Sequence, residues 1–153
     1  HDLRFHRSGW VKDTPTFAEA VGFDPARLTM SVACPFPDYK SLFSFDVGIV
    51  PLSDIPFNHA KSALKGLEYA CSGIPFVAEG LPEYQRITDM GVGRTARTPD
   101  EWREQMTALL DYRTRKRESR TNLEKVMRDH TIESVAAEWQ SVIMEPALLS
   151  PVP

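Results

Sequence analysis

The chain has 153 residues, 42% of them hydrophobic and 25% charged, enough to build one hydrophobic core. A net charge of −3 and a pI near 5.8 argue against a nucleic-acid footprint spread over the surface. No apolar run approaches the roughly 20 residues that span a bilayer.

Leu3 and Phe5 alternate before the Ser8-Gly9 turn and predict a first strand. The chain starts almost inside that strand and without Met, so a piece of a longer polypeptide is expected. Trp10–Glu19, interrupted by Pro15, reads as a loop with one helical turn. After Gly22 and Pro25 comes a second strand, Leu28–Ala33. Cys34-Pro35-Phe36-Pro37 is a rigid connection, because each proline fixes its own φ and biases its predecessor toward extended backbone. Asp38 is placed to cap a short helix over Tyr39–Phe45.

Val47–Leu52 is a short apolar strand ended by Ser53-Asp54, and Gly73 introduces another, Ile74–Ala78. Between them Leu64, Leu67 and Cys71 recur at helical spacing and predict a crossover helix with that face inward. Pro82-Glu83-Tyr84 opens a helix that stops at Gly91, and Val92–Ala96 is a last short strand. In Thr98-Pro99-Asp100-Glu101, Thr is the N-cap, Pro the first helical residue and Glu the partner that closes a capping box. Trp102, Met106, Leu109 and Leu110 then share an inward face.

Tyr112–Arg128 reads as another helix. Its basic cluster of Arg113, Arg115, Lys116, Arg117 and Arg120 is expected to be a solvated face, the alternative being attraction to an anionic membrane surface. Thr131 caps a final helix bearing Ile132, Val135, Ala136, Trp139 and Val142. Residues 146–153 lack periodicity and read as a loose tail behind one domain, 1–145. The alternation of strands and helices predicts an α/β fold, a Rossmann-like and mainly parallel sheet flanked by helices. Cys34 and Cys71 have no CxxC spacing and sit in apolar surroundings, and the four histidines make no ligand pattern. Buried thiols in a reducing, cytoplasmic setting are expected, with neither metal nor cofactor.

A loop that leaves a parallel strand and opens a helix is where α/β sheets bind ligands, because the helix start offers free N–H groups. On a helix following Asn58, Lys61, Lys65, Glu68 and Ser72 share one narrow face. Ser62 is placed as N-cap, with the N–H groups of Ala63 and Leu64 toward the loop. Two lysines at a helix start suit phosphate oxygens, and Glu68, a turn deeper, suits vicinal hydroxyls such as those of ribose. The same face also reads as an ordinary amphipathic surface, where a Lys65–Glu68 pair contributes only tenths of a kcal/mol. Spacing alone favours that plainer reading. His59 has no carboxylate at helical spacing and reads as a loop residue, and Trp10, Trp102 and Trp139 as core or domain-contact anchors.

The segment DVGIVPLSDIPFNHAKSALKGLEYACSGIPFVAE, with PEYQRI, GVGRTA and EWREQMTALL behind it, resembles the C-terminal domain of GT-B glycosyltransferases, near the retaining glycosyl group 1, family 4-like enzymes. The likeness runs from about Leu3 to Ile143 and is most specific in FNxxKSxLKxLEYAxxGIPxVA, Phe57 to Ala78. It implies a domain that binds a nucleotide diphosphate sugar donor without a metal, facing a separate N-terminal acceptor domain. It also implies that Glu68 is the second glutamate of an E-x7-E motif and holds the donor ribose. The first glutamate of that motif falls at Ala60, where Asn58, Lys61 and Ser62 are the candidates to replace it. Lys61, with Lys65 and the Ser62 helix start, would take the diphosphate charge, and the Ala33–Pro37 connection, Cys34 included, would lie along the nucleobase. The family's first strand, glycine loop and helix do not precede His1, which implies a truncated half whose exposed sheet edge invites dimerisation. A non-catalytic nucleotide-binding or interaction module on the same scaffold is the alternative. Sugar, base and acceptor are not specified.

Overall fold

Short runs of β-branched and aromatic residues set the strands, and every strand pairing among the described residues is parallel. In the computed structural model, residues 3–8, 22–31 and 34–144 are described. The chain divides into two compact units, His1–Phe45 and Asp46–Pro153.

In the first unit, β1 (Phe5–Ser8) pairs with β2 (Leu28–Ser31), Phe5 opposite Leu28. Phe5 meets Phe23 edge-on with ring centroids 4.5 Å apart, and His6 lies between the hydroxyls of Thr29 and Ser31 at 3.1 and 3.0 Å. Asp38 does not cap a helix over Tyr39–Phe45. A 3-10 helix instead spans Phe36–Leu42, with Pro35 at the cap position and no side-chain cap. The fixed φ of Pro37 suits a helix start, so the turn begins ahead of Asp38. The predicted loop over Trp10–Glu19 and the tail at 146–153 lie outside the described residues, as do the last two positions of the predicted Leu28–Ala33 strand.

The second unit is built on a separate sheet in the order β3 (Gly48–Val50), β4 (Phe76–Glu79), β5 (Arg94–Ala96). The single continuous sheet expected from the alternation is thus two hydrogen-bonded ladders among the described residues. The elements between and after the strands are α1 (Pro56–His59), α2 (Leu64–Cys71), α3 (Pro82–Asp89), α4 (Pro99–Ala108), α5 (Tyr112–Asp129) and α6 (Ile132–Met144).

The central strand β4 is buried on both faces, as parallel strands between helices are. Its alternation sends Phe76 and Ala78 into one cluster with Ala63 and Ala70 of the α2 segment, Tyr84 and Ile87 of α3, and Val126 of α5. Val77 points to the other face, into Ala96 and Leu109, with Trp102 and Met106 of α4 packed against them. The fold is therefore α/β, with short parallel strands flanked by helices.

Helix α2 corrects the predicted inward face. Leu64 and Cys71 are exposed, Leu67 is half-buried, and the side that meets the sheet is Ala63, Gly66 and Ala70. Close approach selects these small residues: a Cβ on Gly66 would lie 2.8 Å from the Phe76 ring. Nor are the thiols buried, for Cys71 is exposed and Cys34 half-buried, both unbonded. Partial desolvation, and then Glu68, hold the Cys71 thiol above its ordinary range. Helix α6 buries none of its residues; Ile132, Trp139 and Val142 are 85%, 62% and 67% exposed. No helix among the described residues is long and apolar enough to cross a membrane.

Candidate functional site

All three strands of the second sheet run the same way, so the loops after Val50, Glu79 and Ala96 leave one edge. The first of these, Pro51 to Ala63, carries most of the predicted site. It contains the single turn α1, whose N-terminal end has Ile55 at the cap position and Pro56 in the first turn. Asn58, 8% exposed, donates its amide Nδ2 to the Ser53 carbonyl at 2.8 Å and ties the turn back to the strand exit. Asn58 is therefore a clamp inside the loop, directed at the chain itself.

The chain does not continue as one helix from Asn58. It ends α1 at Ala60, crosses Lys61 and Ser62 in non-helical backbone and restarts at Leu64. Lys61 thus stands off the helical face that Lys65 and Glu68 share. Its ammonium lies 5.1 Å from the centroid of the exposed Phe57 ring, a cation–π contact. Ser62 is exposed and is not the N-cap; that position falls to Ala63, which is buried and has no side-chain hydrogen bond to give. Ala63 occupies it because its small side chain is needed against the core. The backbone N–H groups of Ser62, Ala63 and Leu64 consequently find no acceptor among the described residues.

Lys65 donates to Glu68 Oε2 at 2.5 Å, with side chains 45% and 25% exposed. The pair lies one turn into α2, on the side away from Gly66. Cys34 belongs to the first unit. Thus Ser62, Ala63, Lys65 and Glu68 cluster at the start of α2, Lys61 stands beside them in the connecting loop, and Asn58 supports that loop.

One pairing went unread in the sequence. His59 Nε2 and Asp54 Oδ1 form a hydrogen-bonded pair across the α1 turn. His59 therefore has a carboxylate partner after all, at five-residue spacing. The signal was available only as loop closure, since the spacing matches neither helical nor strand periodicity. Among the described residues, no group of three or more His, Cys, Asp or Glu side chains is arranged to hold a metal ion. Two cavities, of about 510 and 320 Å³, lie elsewhere, along α5.

No protein-family model matches the chain, and no curated protein sequence matches it.

Proposed function

We propose that this chain is the donor-binding part of a GT-B glycosyltransferase that moves a sugar from a nucleotide diphosphate sugar to an acceptor with retention, the acceptor domain preceding it in the complete protein. The observation that carries this reading is the uncapped start of α2, which follows a parallel strand and has Lys61, Lys65 and Glu68 around it. The FNxxKSxLKxLEYAxxGIPxVA pattern, which resembles that family's donor loop, covers the same residues.

In this reading, the bond between the anomeric carbon and the phosphate oxygen breaks and its electron pair remains on the diphosphate. The Lys61 ammonium and the N–H groups of Ser62, Ala63 and Leu64 meet that growing charge. Glu68 accepts from the ribose hydroxyls, with Lys65 fixing its carboxylate. The exposed Ile55, Phe57 and Leu64 border the site and offer apolar surface to whatever faces it.

Ala60 favours a second reading, a nucleotide-binding module without transfer activity, because the resembling family has a carboxylate there. Saturation-transfer NMR of the full protein against a panel of nucleotide diphosphate sugars tests the shared core of both. Transfer to the nucleotide protons, abolished by Lys61→Ala with Glu68→Ala, is expected; silence across the panel removes the proposal. Sugar release or transfer with a bound donor then separates enzyme from module.

A further inference from the structure

The cations of α5 are unevenly paired. Arg115 reaches Asp46 at 3.5 Å, and Arg120 reaches Glu124 at 2.8 Å. Arg94 of β5 donates Nε to Glu118 at 2.9 Å and Nη1 to Gln105 at 2.6 Å. Arg113, Lys116 and Arg117 have no carboxylate within ion-pair distance among the described residues. They occupy the first two turns of α5, the end where aligned backbone dipoles oppose positive charge. Lys116 lies 6.0 Å from the Tyr112 ring centroid and Arg117 faces the N-cap carboxylate of Asp111, so only weak contacts offset three cations placed in the least favourable part of a helix, and the face suits an outside anion.

The two α5 cavities open on these residues and share Arg117 and Thr121. Asn122 lines the smaller one and is 3% exposed. Its Oδ1 accepts the Gly93 N–H at 3.3 Å, whereas its Nδ2 is buried without a partner among the described residues. That nitrogen is sealed from solvent, so it does not reach the groove. The carboxylates on the rim, Glu118 and Glu124, are both engaged by arginines, so the cavity wall keeps a positive balance. Gly91 and Gly93 lead into β5, which puts this site at the sheet edge opposite the start of α2.

We propose that the α5 cavities form a phosphate-binding site, separate from the donor site. Arg113, Lys116 and Arg117 would meet the phosphate oxygens through charge-assisted hydrogen bonds, with the Thr121 hydroxyl beside them in the open groove. A soluble phosphate and the headgroup of an anionic lipid present the same tetrahedral oxyanion, and the experiment separates them.

The full protein is titrated with inorganic pyrophosphate by calorimetry and, in parallel, sedimented with phosphatidylcholine vesicles with and without phosphatidylglycerol. Binding in one arm identifies the source. Arg117→Gln, at an exposed position, is expected to weaken that binding about tenfold, the loss of one charge-assisted contact. Arg103→Gln removes an equally exposed cation of α4, paired with Asp100, and is expected to leave binding within about twofold. Binding in neither arm, an unaffected Arg117→Gln, or an equal loss in Arg103→Gln overturns the proposal.

Discussion

Two strand-to-helix junctions on one sheet edge are built in opposite ways. After β5 the chain needs only Arg97 and Thr98 to reach α4, and its side chains consume the free backbone groups there. Thr98 Oγ1 accepts the Glu101 N–H at 3.2 Å, while Glu101 Oε2 takes the N–H groups of Arg97 and Thr98 at 2.7 and 3.3 Å. After β3 the chain wanders from Pro51 to Ala63, and α2 starts with no side-chain cap. A helix start sealed by its own cap is structural, whereas one left unsealed beside cations keeps its donors for something else. Long loops at strand exits carry function for the same reason, since their backbone is not spent on packing.

The comparison breaks most completely if the floor under both junctions is removed. Phe76 is fully buried in β4 between them, and Phe76→Ala is expected to cost about 3–5 kcal/mol, read from the urea midpoint. A loss under about 1 kcal/mol would mean that the core does not rest on this ring. Asn58→Ala removes the clamp of the open junction and is expected to cost about 1–2 kcal/mol while raising amide exchange across the Pro51–Ala63 loop. Unchanged exchange would show that the loop is held by other contacts.

Thr98→Ala against Ser62→Ala then sharpens the contrast directly. The first should lose about 1 kcal/mol, and the second should stay within about 0.5 kcal/mol because Ser62 caps nothing. Equal losses would erase the distinction between the junctions.

The smallest effect is in acid. The N–H groups of Arg97 and then Thr98 hold the Glu101 carboxyl below its ordinary 4.5, and the Thr114 N–H holds Asp111 below its 3.8. Folded values below unfolded ones mean stability that is complete above the ordinary range and lost as pH falls through the depressed folded values. Glu101→Gln should therefore lower Tm at neutral pH, with the gap to the parent closing in acid. A gap that stays constant would assign the effect to shape instead of charge.

Much of this was legible from spacing. The Thr98–Glu101 box, the Pro82 helix start and the stop at Gly91, whose φ of 79° only glycine adopts easily, are all local signals within a few residues. The start of α2 was misread because cap propensity points to Ser62, while packing claims Ala63 for the core and moves the cap with it. Its inward face is misread because bulk marks most buried faces, whereas here closeness to Phe76 selects Gly66, and Ala63 and Ala70 share the same core cluster. The Asp54–His59 pair and the division into two ladders depend on loop closure and on long-range pairing, which no sequence window contains.

Calorimetric titration of a nucleotide diphosphate sugar into the full protein and into its Glu68→Ala variant tests the reading of the open junction most directly. The side chain is partly exposed and its ion pair with Lys65 contributes at most about 1 kcal/mol, so the variant should remain folded. The account predicts at least about a tenfold loss of donor affinity with Tm little changed. Equal affinity in the two proteins would contradict it.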